Sequence, residues 1–117
     1  MKVLAASAVL LLAPLAAQAA CAPTDFAIKD FKPSAATASR ISLRGELVNN
    51  CAAASAAQIR IEAKDATGKV LQSKQGWPAG TSNIAPGEKV NFDLGRLFRY
   101  QPDMQSYTVS VVDGRTW

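Results

Sequence analysis

Catalysis in a small protein often rests on histidine, and this chain of 117 residues contains none. Its absence removes the commonest general base, the usual nucleophile–histidine–acid triad and most zinc sites. Cys21 and Cys51 are the two thiols. In an exported chain such a pair suggests one bridge, which would leave no thiolate to act as a nucleophile. Carboxylates remain, and Asp93 with Asp103 is a conceivable acid–base pair. Their spacing in sequence gives no sign of the separation of about 5–10 Å that a glycosidase pair requires. There is no glycine-rich phosphate loop and no calcium-loop pattern. The reading is a protein that is not an enzyme and takes no cofactor or metal.

One stretch has the composition of a binding surface. In GRLFRYQP at 95–102, Arg96, Phe98, Arg99 and Tyr100 interleave charge with aromatic rings, and Trp77 stands in another loop that could come near. Arginine and aromatic side chains are enriched where proteins dock, because they cover much area while keeping a polar handle. The plainer alternative is the stronger of the two: Leu97 and Phe98 plug one end of the fold while the arginines stay in water. Charge adds little guidance. There are 13 Lys and Arg against 9 Asp and Glu, a net charge of +4, spread singly along the chain without a block of one sign. Nucleic acid is a poor candidate partner for an exported chain of such modest charge.

The start of the chain sets the expected compartment. Lys2 is followed by an apolar run from Val3 to Leu15, broken by Ser7 and Pro14, and then by Ala17-Gln18-Ala19. This is the layout of a secretory signal peptide over residues 1–19, cleaved by the A-x-A rule. The run is shorter than the roughly 20 residues of a membrane-spanning helix, so the mature chain is expected to carry no transmembrane segment. Lipoprotein signals place Leu three residues before the modified cysteine, and here that position is Gln18. A lipid anchor on Cys21 would also leave Cys51 odd. The expectation is therefore a Cys21–Cys51 disulfide in a periplasmic or secreted protein, with lipidation as the weaker alternative. Residues 20–117 form one domain, whose modest core a covalent staple would help.

The elements that must position these residues read as short strands. A first strand falls near 24–31, followed by a loop at 33–39. ISLRGELVN at 41–49 and QIRIEAKD at 58–65 alternate apolar with polar residues, the period of a sheet with one wet face. DATGK turns the chain into KVLQSKQ at 69–75, and KVNFDL at 89–94 and SYTVSVV at 106–112 supply two more strands. Residues 95–104 read as a loop with one helical turn. The alanine-rich 51–58 connects two strands, a helix of that length being marginal. Six or seven short strands argue for an all-β antiparallel sandwich. Matching Phe26 to Leu47 places the cysteines just beyond the ladder, or requires a bulge of one residue. Asn49 is set to hydrogen-bond neighbouring backbone at its strand end, and Asp103 with Tyr107 has the spacing of a tyrosine corner. For both of these, plain turn chemistry and core packing is the favoured reading.

The order of signals resembles the FxLYD family of bacterial envelope domains and related immunoglobulin-like modules. The likeness is carried by Leu43-x-Gly45-x-Leu47-x-Asn49, by Asp65-Ala66-Thr67-Gly68-Lys69-Val70, and by Ile84-Ala85-Pro86-Gly87-Glu88 leading into Val90-Asn91-Phe92. It spans roughly residues 24–112. The segment that names the family would fall on Ile61-Glu62-Ala63-Lys64-Asp65, of which only the aspartate is kept. The resemblance implies an immunoglobulin-like sandwich without a catalytic centre and transfers no site residues. The functional expectation is an exported domain that binds an unknown protein partner in the cell envelope, through strand edges or the 95–102 loop. Two alternatives stand beside it. One is an inhibitor or immunity-type protein that blocks an envelope-acting enzyme with a loop such as 76–87. The other is a structural or ligand-carrying module.

Overall fold

The computed structural model describes residues 21–37 and 40–117. The expected leader at 1–19 lies outside them. Six strands follow in order: β1 (Phe26–Thr37), β2 (Arg40–Asn49), β3 (Ala56–Lys64), β4 (Val70–Gly76), β5 (Lys89–Asp93) and β6 (Ser106–Arg115). They make two three-stranded antiparallel sheets, in the orders β1-β2-β5 and β4-β3-β6. No helix among the described residues is long and apolar enough to cross a membrane.

Alternation along the two central strands builds the core. In β2 the side chains of Ile41, Leu43 and Leu47 turn inward, and in β3 those of Ile59, Ile61 and Ala63 do so, while Arg44, Glu46, Arg60 and Glu62 stay at the surface. A strand shows successive side chains to opposite faces, so one period-two pattern fills the space between two sheets. Phe26, Ile84, Phe92, Leu94 and Phe98 complete the cluster from the flanks. The alanine-rich connection forms no helix: β3 already begins at Ala56, and Ala56 and Ala57 are buried.

The β1–β2 hairpin departs from expectation in length and register. β1 continues to Thr37, so most of the expected loop at 33–39 is strand. Phe26 lies opposite Asn49 rather than Leu47, a displacement of two residues. Two residues restore the same face, which is why the inward set is unchanged. The reason is Asn49 itself, a polar residue that occupies an inward position. It is fully buried, its amide donates to the carbonyls of Ala53 (2.9 Å) and Ile84 (2.7 Å), and its Oδ1 accepts the N–H of Cys51 (2.8 Å). Every polar atom of the side chain is thereby satisfied, as burial demands. A 3-10 turn at Pro23–Asp25 then carries the chain from β1 back to Cys21, which is bridged to Cys51 with a Cα–Cα distance of 6.0 Å. An irregularity does interrupt the ladder, but between Lys29 and Lys32, where Asp30 takes φ 53°.

The turns follow their residue chemistry. Pro86 and Gly87 form a reverse turn closed by the Glu88 N–H on the Ala85 carbonyl, and Gly87 supplies the φ of 79° that a type II turn needs. In the β3–β4 hairpin, Asp65 Oδ1 accepts the N–H groups of Thr67 and Lys69 and the Thr67 hydroxyl. Hydrogen bonds to Thr67 and Lys69 hold the Asp65 carboxyl below its ordinary pKa.

The two open sides of the fold are treated differently. Between β5 and β4, the segment 94–101 closes the gap. Between β1 and β6, which lie against each other, no further segment among the described residues pairs with β6.

Candidate functional site: the crossing at 94–101 and the two flanks

β5 ends at Asp93, opposite Arg44, so on the edge away from β1 the first residues of β2 have no strand beside them. The chain fills that place with a 3-10 turn at Gly95–Leu97. Leu94 donates its N–H to the Leu43 carbonyl, and Gly95 packs so closely on β2 that a Cβ would overlap the Ile41 carbonyl. The side chains of Leu94 and Leu97 reach across to Gly76 of β4. Beyond the turn, Gln72 of β4 grips the chain by both polar ends: its Nε2 donates to the Arg99 carbonyl at 2.6 Å and its Oε1 accepts the Arg99 N–H at 3.1 Å. A side-chain amide thus imitates the pairing of a neighbouring strand.

Asp93 organises the near end of the crossing. Its Oδ1 accepts the N–H groups of Leu43 (2.9 Å) and Gly95 (3.0 Å), and its Oδ2 accepts the Ser42 hydroxyl (3.0 Å). The Arg44 Nε lies 3.7 Å from Oδ2. Partial burial is the largest single influence and opposes the charge. The two N–H groups, the hydroxyl and Arg44 together outweigh it and hold the carboxyl below its ordinary pKa. The oxygens that might have served acid–base chemistry are therefore engaged in holding a turn, and Asp103 sits apart on an exposed turn.

The expected binding residues divide into three groups. Phe98 is buried, with its ring edge-on to Tyr107 at 6.3 Å, and Leu97 packs half-buried on the same core, so this pair plugs the side of the fold. Arg96, Arg99 and Tyr100 are brought to the surface around it. Arg96, Phe98 and Tyr100 line a groove of about 490 Å³ together with Arg40, Ser42 and Arg44. Arg96, Phe98 and Arg99 line a second, of about 420 Å³, with Gln72 and Lys74. Trp77 belongs to neither. Its ring packs edge-on against Trp117 at 5.5 Å, and the Arg115 guanidinium lies 5.9 Å from Trp77 and 4.8 Å from Trp117.

Sequence reading missed Arg40, Arg44 and Lys74, which three-dimensional pairing brings beside the 95–102 stretch from β2 and β4. No local pattern could have found them, because each sits as an ordinary outward residue in an alternating strand. The spacing of Asp103 and Tyr107 forms no tyrosine corner, and the favoured reading of core packing stands: the Tyr107 hydroxyl meets the Met104 sulfur at 3.4 Å rather than an upstream backbone group. Desolvation and nearby Tyr100 push the Tyr107 hydroxyl pKa upward. Cys21, Asp25 and Cys51 cluster closely enough to suggest metal ligands, but both sulfurs are spent in the bridge.

On the opposite flank, β6 pairs with β3 from Ser106 to Arg115 and with nothing on its other edge among the described residues. Its inward residues Tyr107, Val109 and Val111 touch the core but remain only half-buried, as do Ile28 and Phe31 of β1. Comparison with known proteins adds no further constraint: no family model, curated protein or solved structure matches this chain.

Proposed function

We propose that this protein is an exported, non-enzymatic immunoglobulin-like domain that acts in the cell envelope by binding a protein partner, and that the free edge of β6 accepts an extended strand from it. The strand order supports the immunoglobulin-like reading. In those domains strands A, B and E share one sheet while C and F share the other, with C′ beside C and G on the outer side of F. Here β1-β2-β5 corresponds to A-B-E and β4-β3-β6 to C′-C-F, and no strand among the described residues takes the place of G. The disulfide suits an oxidising compartment.

The observation that carries the proposal is the state of β6. From Tyr107 to Val112 it reads Tyr-Thr-Val-Ser-Val-Val, without charge, proline or glycine. Its outer edge pairs with nothing among the described residues, and its inward side chains are half-exposed. Exposed edges normally carry protection, and β1 on the same side has it: Lys29, Lys32, Pro33 and the irregularity at Asp30. An added strand would gain a ladder of main-chain bonds along β6 and place alternate side chains over Val109 and Val111.

The test is site-specific photo-crosslinking from Thr108 and Ser110, combined with amide hydrogen exchange on the purified complex. Adducts to one partner from both positions, with slowed exchange along 107–111, are expected. Adducts from the 96–100 region alone, or β6 amides that exchange equally fast in the complex, would reject the edge as the contact. A second reading, an inhibitor that presents loop 76–87, draws on the exposed Trp117 beside Trp77 and Arg115. Loss of capture on Trp117→Ala with β6 exchange unchanged would favour it.

A further inference from the structure

The crossing at 94–101 gathers positive charge from three separate parts of the chain. Arg40 and Arg44 come from β2, Lys74 from β4, and Arg96 and Arg99 from the crossing itself; all five are exposed. They border the two grooves described above, and Arg96 stands on the ridge between them. Asp93 is the one carboxylate among the described residues that line the larger groove, and none lines the smaller; its oxygens already hold backbone N–H groups, a hydroxyl and Arg44. Arg40, Lys74, Arg96 and Arg99 form no ion pair among the described residues. Nearby Glu46 is engaged by Lys89 at 2.9 Å.

We infer that this face binds a carboxylate-rich segment of a partner protein, laid across the Arg96 ridge with acidic side chains in both grooves. Charge complementarity selects the occupant. Guanidinium groups match carboxylates in shape and number of donors, and unpaired cations around a concave surface attract and orient such a chain. The Tyr100 ring supplies a further flat contact beside the cations. An anionic membrane fits this face poorly. The large apolar side chains that stand exposed, Val70 and Trp117, are not part of it and give it no anchor for insertion. The inference does not rest on strand addition at β6, which occupies the other flank.

The probes are a labelled peptide of alternating Glu and Ser, its Gln-for-Glu counterpart, and vesicles of phosphatidylglycerol. The variant is R40E/K74E/R99E, whose three side chains make no hydrogen bond or ion pair within the described residues. The control is K29E/K64E/K69E, which changes net charge equally at residues that line neither groove. The acidic peptide should bind the parent protein and the control within about threefold of one another, and the variant at least about tenfold more weakly, with affinity falling as salt rises. The Gln peptide should not bind. Equal weakening by variant and control would reduce the effect to net charge and overturn the inference. So would binding to vesicles without binding to the peptide, or no binding of the acidic peptide at low salt. Melting curves of variant and control establish that both are folded. Failure here with intact β6 crosslinks would leave the strand-addition reading standing, and the reverse pattern would leave this one.

Discussion

Asp93 and Asn49 show how single polar residues set the geometry on which the grooves depend. Asn49 joins β2 to the chain at 51–55 and to Ile84, so the disulfide end has one buried amide at its centre. Asp93 does the same for the crossing, and its charge makes its contribution depend on pH. Its carboxyl pKa is lowered in the fold, below an unfolded value of about 3.9. Its stabilisation is therefore complete above about pH 4 and is lost as pH falls through the lowered value. Asp93→Asn is expected to reduce stability at neutral pH by about 1 kcal/mol, a modest figure because the group is partly solvated. Thermal melts of parent and variant should converge only as pH falls below the ordinary carboxylate range, where the parent's carboxylate becomes protonated in the fold. A gap that persists unchanged into acid would contradict this account. Asn49 as a strand-end residue that bonds local backbone was legible in the sequence. Its reach to Ile84 was not, since that carbonyl lies in a distant loop.

At the scale of elements, the strands themselves were readable because period-two alternation records a one-sided burial. β2 and β3 carry it clearly, and their limits fall within two residues of the expected ones. β1 was read too short because Pro33, Ser34 and their neighbours look like a loop, whereas an edge strand tolerates such residues. The helical turn in 95–104 was anticipated and exists as Gly95–Leu97. Its role as a substitute for the missing continuation of β5 was not visible, because that depends on where β5 stops against β2. Gly95 is the residue on which this seating depends. Gly95→Ala places a methyl group on the Ile41 carbonyl. The expected cost is about 2–3 kcal/mol in urea denaturation, the scale of an overpacked contact. Near-parental stability would mean that the crossing can lift from β2, and that the grooves beside it are not preformed.

For the molecule as a whole, a single bridge ties the start of β1 to the end of β2. Closing a loop across a sequence separation of 30 removes chain entropy worth about 3–4 kcal/mol from the unfolded state. That is a large share of the roughly 5–15 kcal/mol that keeps a domain folded. The double replacement C21S/C51S is expected to lower the denaturation free energy by that amount. Reduction of the parent protein should do the same. If both leave the unfolding midpoint unchanged, the buried network around Asn49 holds this end without the bridge. The two flanks differ in construction. One side is sealed by the crossing and bordered by cations, and on the other no strand among the described residues pairs with the outer edge of β6.

The residue pattern alone determined the all-β class, the cysteine pairing and the inward face of each central strand. These follow from alternation, from cysteine number and from turn chemistry, all of which act over a few residues or depend only on a count. Tertiary structure decided the sheet order, the register of β1, the burial of Phe98 and the separation of Trp77 from the 95–102 group. It also decided which arginines and lysines share a groove. Those outcomes depend on packing between segments far apart in the chain, where a charged outward residue looks the same whether its neighbour in space is a cation, a carboxylate or water.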